Sequence, residues 1–156
     1  QKDLVSIHLR RGDNTDGSDP SQGTLTSHYD KGGDYETYLD KAVSEFSDCH
    51  YVIFTGGERF SDDNLKDVKW CQNFFESKGW SPEDYTISSQ KTAIEDFELI
   101  SSCDHNILSH VSSFGWWAAY LNINPNAKRV APLRYHPDIK NYTHREMFYP
   151  KDWILL

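Results

Sequence analysis

Tyr51-Val52-Ile53-Phe54-Thr55-Gly56-Gly57 reads as a short apolar strand ended by two glycines, and its neighbours along the chain decide the fold. From about Ser61 the apolar residues Leu65, Val68, Cys71 and Phe75 fall on one side of a helix that closes at Gly79. Tyr85-Thr86-Ile87-Ser88 is then a second, weaker strand. Strand, helix and strand in succession predict a βαβ unit and strands that run parallel.

The same alternation extends in both directions. Toward the N-terminus, Asp34 can cap a helix whose apolar residues Tyr35, Tyr38, Leu39, Ala42, Val43 and Phe46 keep helical spacing. Leu4-Val5-Ser6-Ile7-His8-Leu9 reads as a strand. Asn14 to Gly33, dense in Asp, Ser, Thr and Gly, reads as a long loop of the kind that often carries function. Toward the C-terminus, Thr92-Ala93-Ile94-Glu95 is a capping box that opens a helix. His105 to Ser109 is a strand, Ser113 to Asn122 a helix, and Lys128-Arg129-Val130-Ala131 a final strand stopped by Pro132. The expectation is one α/β domain over residues 1–156, a Rossmann-like and mainly parallel sheet with helices on both faces.

Composition bounds the function. The chain has 156 residues, enough for one compact domain or half of a larger protein. Aromatic residues make up 14% of it, which excludes bulk disorder. Sixteen Lys and Arg against 24 Asp and Glu give a net charge of −8, a poor match for nucleic acid or an anionic membrane. No apolar run approaches the ~20 residues of a membrane span. Cys49, Cys71 and Cys103 form no C-x-x-C pair, so reduced, mostly buried thiols are expected, which leans toward the cytoplasm. Asn141-Tyr142-Thr143 fits a glycosylation sequon, a match too short to weigh against that. The opening Gln1-Lys2-Asp3-Leu4 carries neither Met nor a signal-peptide pattern and reads as a segment of a longer protein.

Three constellations carry chemistry. His8-Leu9-Arg10-Arg11-Gly12-Asp13 ends the first strand, where α/β sheets bind ligands, and gathers cations in an acidic chain. Arginine suits phosphate, since its planar fork donates two parallel charge-assisted hydrogen bonds. Strand alternation places His8 and Arg10 on one face and Arg11 on the other, so one arginine can meet a ligand while its neighbour anchors structure, with Asp13 a possible partner. A surface salt-bridge cluster is the plainer alternative. Ser109-His110-Val111-Ser112-Ser113-Phe114-Gly115-Trp116-Trp117 follows a strand and opens a helix, offering free backbone amides and hydroxyls to an anion. Simple serine capping of a core helix explains it equally well, and that helix, apolar on nearly every side, is expected to be buried. Asp96 shares an apolar stripe with Leu99, Ile100 and Cys103, either as a carboxylate satisfied by its own helix start or as an acceptor for a ligand's N–H groups. Phosphate-loop, dinucleotide-fingerprint, HExxH, Asp-x-Asp and nucleophile-elbow motifs are all missing from the sequence.

Ile7-His8-Leu9-Arg10-Arg11-Gly12-Asp13 resembles the H-x-R-R-G-D motif of the α-1,2-fucosyltransferase family. Ser112-Ser113-Phe114-Gly115-Trp116-Trp117-Ala118-Ala119-Tyr120-Leu121 resembles its S-S-F-S-W-W-A-A-Y-L signature, and Asp96 to Ile107 its D-x-x-L-M-S-x-C-x-H-N-I run. Val130-Ala131-Pro132 and Pro150-Lys151-Asp152-Trp153-Ile154 fit its closing pattern, so the resemblance covers nearly the whole chain. It implies one half of a GT-B-type glycosyltransferase that takes GDP-fucose as donor, inverts the anomeric carbon, needs no obligatory metal and transfers to a glycan acceptor. It also implies a partner domain N-terminal to this segment. On that resemblance Arg10 binds the β-phosphate and stabilises departing GDP, with Arg11 beside it. His8 and Asp96 meet the guanine end, Ser112, Ser113 and Phe114 form the diphosphate and sugar side, and Asp13 is a catalytic base or an orienter of Arg11. Val111 stands where the family usually has Asn, and Gly115 where it has Ser, which leaves another sugar donor open. A non-catalytic nucleotide-sugar or glycan-binding module is the alternative of another class.

Overall fold

The computed structural model of the chain describes residues 2–11, 34–55, 62–89, 92–110, 112–133 and 148–156. Six strands, β1 (Asp3–Leu9), β2 (Cys49–Thr55), β3 (Tyr85–Ile87), β4 (His105–Ile107), β5 (Arg129–Ala131) and β6 (Ile154–Leu155), form one sheet. Four helices are described: α1 (Asp34–Val43), α2 (Asp62–Ser77), α3 (Ala93–Ser102) and α4 (Ser113–Tyr120). The spatial order is β3-β2-β1-β4-β5-β6, and every neighbouring pair is parallel. This is the doubly wound order in which the chain builds outward from β1 in one direction and then, from β4, in the other.

Period-2 alternation explains how one sheet feeds two cores. Val5, Ile7 and Leu9 of β1, with Tyr51 and Ile53 of β2, pack against Tyr35, Tyr38, Leu39 and Ala42 of α1 and Cys71 and Phe75 of α2. The intervening Val52 and Phe54 face the opposite side, where Ile100 of α3 and Ala118 of α4 cover them. Leu108, Ala119, Ala131, Tyr149 and Trp153 close a third cluster beside β5 and β6. Helices therefore cover both faces, as expected.

The capping box forms as read: the Thr92 hydroxyl accepts from the Glu95 amide at 3.2 Å, and the Thr92 amide donates back to Glu95 Oε2 at 2.9 Å. Past the end of α2, Gly79 adopts φ +82°, and the Trp80 amide bonds to the Phe75 carbonyl, a left-handed closure that favours glycine. A buried polar net locks β1, α3 and β4 together: Asn106 Nδ2 donates to Ser6 Oγ and to the Ile100 carbonyl, each at 2.8 Å, while Asn122 Nδ2 donates to Asn106 Oδ1. The three cysteines are free thiols, with Cys71 and Cys103 buried.

Three expectations are corrected. Leu65 is 66% exposed, and the buried stripe of α2 runs instead through Asp67, Cys71 and Phe75, four residues apart along the helix. Helix α4 is buried along Gly115, Ala118 and Ala119 only; Trp117, Tyr120 and Leu121 are half exposed, and the helix ends at Tyr120 rather than Asn122. The sheet also continues past Pro132, because β6 returns to pair alongside β5.

Candidate active site

The strand order reverses between β1 and β4, so the crevice outside their C-terminal ends is the topological switch point where sheets of this type bind ligands. The two ends are tied together there, the Arg10 amide donating to Ser109 Oγ at 3.1 Å. Tyr38 of α1 braces the β4 side, its hydroxyl reaching the Leu108 and Val130 carbonyls at 2.8 and 3.1 Å. His110 is buried against the rings of Tyr35 and Tyr38.

The two arginines diverge. Arg11 turns toward α2, where Nε donates to Asp67 Oδ1 at 3.0 Å and the guanidinium lies 3.8 Å from the Trp70 ring centre. Both partners of that ion pair are buried, so Arg11 is an anchor between the end of β1 and α2. Arg10 is half-buried at the mouth of the crevice, with Nη1 donating to the Arg11 carbonyl at 2.9 Å. This arrangement holds close to the backbone a planar guanidinium that carries several N–H donors.

His8 points to the face of the sheet opposite Arg11 and is buried beneath the first turn of α4, its ring 5.5 Å from that of Phe114. Burial first, and the Arg10 charge second, lower its pKa to about 3, so the imidazole is neutral in ordinary buffers. Its Nδ1 has no hydrogen-bond partner among the described residues.

Helix α4 starts over this ring. Ser112 is its N-cap, in an extended conformation, and its hydroxyl accepts from the Gly115 amide at 3.3 Å. The Trp116 amide bonds to the Ser112 carbonyl, which leaves the amides of Ser113 and Phe114 without an acceptor inside the helix. Those two donors and the positive end of the helix dipole make an anion cradle beside β1. Ser113 is exposed and Phe114 half-buried.

Asp96 sits in the first turn of α3, buried, and accepts from Ser88 Oγ at 2.7 Å beyond the end of β3. A line of rings joins it to the switch point: the neighbouring Phe97 packs edge-on against Phe114 at 5.5 Å, and Phe114 packs on His8. The crevice thus has a carboxylate toward β3 and cationic and amide donors toward β4. Asp13, Gly12, the Asn14–Gly33 stretch, Gly56, Gly57 and Val111 lie outside the described residues. Asp67, Trp70 and Ser88 belong to the site's support and were missed by sequence reading. The clue that singled out Asp96, a carboxylate on an apolar stripe, was present at Asp67 too.

Among the described residues no group of three or more His, Cys, Asp or Glu side chains is placed to hold a metal ion. None of the described helices is long and apolar enough to cross a membrane.

The strand order defines a doubly wound α/β protein with Arg10 and the start of α4 at its switch point. Over residues 1–156 the sequence matches the profile of glycosyl transferase family 11, and the chain belongs to that family. It is similar to the O-antigen biosynthesis glycosyltransferase WbnK of Escherichia coli, with 32% identity over 140 residues, 84% of this chain and 38% of that protein. Galactoside alpha-(1,2)-fucosyltransferase 1 of Rattus norvegicus is 30% identical over 123 residues, 75% of this chain and 27% of that protein. An alpha-1,2-colitosyltransferase of Escherichia coli is 24% identical over 130 residues, 82% of this chain and 39% of that protein. The chain therefore spans well under half the length of these relatives. The family resemblance read from the motifs is confirmed.

Proposed function

We propose that this chain forms the donor side of a glycosyltransferase that takes GDP-fucose and transfers fucose, with inversion, to a glycan hydroxyl. The observation that carries the reading is that Arg10, tied to Ser109 at the end of β4, and the first turn of α4, which follows β4 in the chain, both lie at the switch point of an otherwise acidic protein. In an inverting transfer the acceptor oxygen bonds to the anomeric carbon as the bond to the diphosphate breaks. The electron pair leaves with GDP, and the acceptor proton passes to a base. Arg10 and the amides of Ser113 and Phe114 offset the charge that develops on the leaving β-phosphate. Asp96 accepts N–H donors of the guanine edge, with His8 and Phe114 as the wall between base and phosphate. Arg11 acts through its neighbour, fixing where β1 ends. Asp13 is the candidate base.

With the leaving-group charge met by protein donors, no obligatory metal is assigned. Turnover that survives EDTA supports this, and loss of turnover counts against it. Calorimetry with GDP and GDP-fucose is the direct test. Arg10→Ala should abolish measurable binding in this chain and, in an enzyme that turns over, cost about 10²–10³-fold in kcat. No GDP binding by the wild type sinks the proposal; binding without GDP release in the presence of glycans favours a non-catalytic module. The colitosyltransferase relative supports a second reading, a related transferase with another sugar donor, and competition between fucosyl and colitosyl donors decides between them.

A further inference from the structure

Arg10 is held from behind by its own neighbour. Its Nη1 donates to the Arg11 carbonyl at 2.9 Å, and the Arg11 amide donates to the Leu9 carbonyl at 3.0 Å, so the turn that ends β1 closes around Arg10. The Arg11 side chain leaves that turn toward α2. There its Nε donates to Asp67 Oδ1 at 3.0 Å, and its guanidinium lies 3.8 Å from the centre of the Trp70 ring, which is stacked on Phe74. Asp67 shares a face of α2 with Cys71 and Phe75, one and two turns further on. Both are fully buried, in the same core as Val5, Ile7 and Leu9 of β1. The acceptor that receives Arg11 is therefore fixed relative to the strand that carries Arg10. A buried ion pair is a weak source of stability, because desolvating two charges offsets most of their attraction. What it supplies that an apolar pair does not is direction, a charge-assisted hydrogen bond that fixes the residue whose carbonyl Arg10 rests on.

We propose that Asp67 is a positioning residue: through Arg11 it fixes the carbonyl that holds the Arg10 guanidinium, and so presents Arg10 to the β-phosphate of a nucleoside diphosphate. This rests on the reading of Arg10 as the β-phosphate ligand. A guanidinium held in place before binding loses less side-chain freedom when the ligand arrives. The role has a sign of its own. By Coulomb's law alone, removing an acidic side chain beside an anion site strengthens anion binding, whereas losing the positioning weakens it.

The test is the ratio of GMP to GDP dissociation constants by calorimetry, since the fraction of folded protein scales both constants alike. For Asp67→Ala the GDP affinity should fall about tenfold while GMP changes by less than about threefold. Asp67→Asn keeps an acceptor oxygen for Arg11 Nε and should stay within about threefold of wild type for GDP. Arg11→Met with Asp67→Leu removes one charge of each sign, leaving the net charge unchanged and an apolar contact between β1 and α2. It should still lose GDP affinity about tenfold, and it serves if Asp67→Ala alone does not fold. A wild type that binds GDP, with tighter GDP binding in Asp67→Ala, an unchanged ratio in the double variant, or Asp67→Asn as weak as Asp67→Ala, overturns the positioning role alone. A wild type that binds neither nucleotide overturns this inference together with the donor reading.

Discussion

Replacing Asp67 by alanine isolates the contribution of the Arg11 anchor from that of Arg10. Arg11 and Asp67 are 7% and 8% exposed at their side chains and meet at 3.0 Å, so the pair is held away from solvent screening. Its net worth against an apolar pair is small, but removing one partner leaves the buried charge on the other less well compensated, at a cost of about 3–5 kcal/mol. The stacking of Arg11 on Trp70 survives the change and gives back only part of that, roughly 1–2 kcal/mol. A domain of this size is stable by roughly 5–15 kcal/mol, so Asp67→Ala should remain folded with a much reduced margin. With a urea slope of about 2 kcal/mol per molar, the net loss of about 2–3 kcal/mol should drop the unfolding midpoint by about 1–1.5 M. Arg11→Met with Asp67→Leu, which removes both charges, should recover most of the loss. Arg10→Ala should leave the midpoint within about 0.3 M of wild type while destroying GDP binding. The division of labour between the two arginines is refuted if Asp67→Ala moves the midpoint by less than about 0.5 M, or if Arg10→Ala moves it as far as Asp67→Ala does.

His8 predicts a pH dependence: its folded pKa is about 3 against 6.5 for the free side chain, so the unfolded chain takes up a proton that the folded one refuses. Its contribution is complete above about pH 6.5 and is lost as pH falls toward 3, on the order of 5 kcal/mol in all. Urea midpoints at about pH 7 and about pH 4.5 should therefore differ less in His8→Gln than in wild type, and an equal difference contradicts the assignment. Burial pushes the Cys71 and Cys103 thiols up to about 12, so mass spectrometry after brief alkylation should find label on Cys49 first and on the other two only in denaturant. Asn106→Ala removes two donated bonds and one accepted bond, leaving Asn122 Nδ2 with the Cys103 carbonyl and the Ile100 carbonyl with the Cys103 amide, which should lower stability by about 2–3 kcal/mol in chemical denaturation. Retention of the wild-type midpoint would show that water replaces the net.

Much of the architecture was legible because β1, β2 and α1 obey simple periods, two for the strands and 3.6 for the helix. What periodicity cannot give is the order of strands, and with it the switch point: β1 and β4 become neighbours only through pairing across most of the chain. The error at Leu65 has a local cause. An apolar residue defined the stripe when the stripe belonged to Asp67, whose burial depends on a partner at the end of β1. In α4 composition misled in the same way, since eight largely apolar residues leave an exposed aromatic edge once only Gly115, Ala118 and Ala119 reach the sheet. Strand β6 is two residues long and has no pattern to read. At the site, alternation alone separated Arg10 from Arg11, because a strand end is rigid. The partners Asp67 and Ser88 come from α2 and the end of β3, and only tertiary structure brings them in.

The net that joins Ser6 to Asn106 spans a sequence separation of 100 residues. A ribosome adding roughly 5–20 residues per second needs on the order of 5–20 s to make that stretch. During that interval the first strand of this chain can zip to β2 along one edge while its other edge, with two polar side chains, waits for a partner not yet made. Bare strand edges are where nascent chains stick to one another. The residues of β1 are therefore made well before the strand that encloses them, and a codon-level pause before β4 would lengthen the period in which that edge is open to miscoupling.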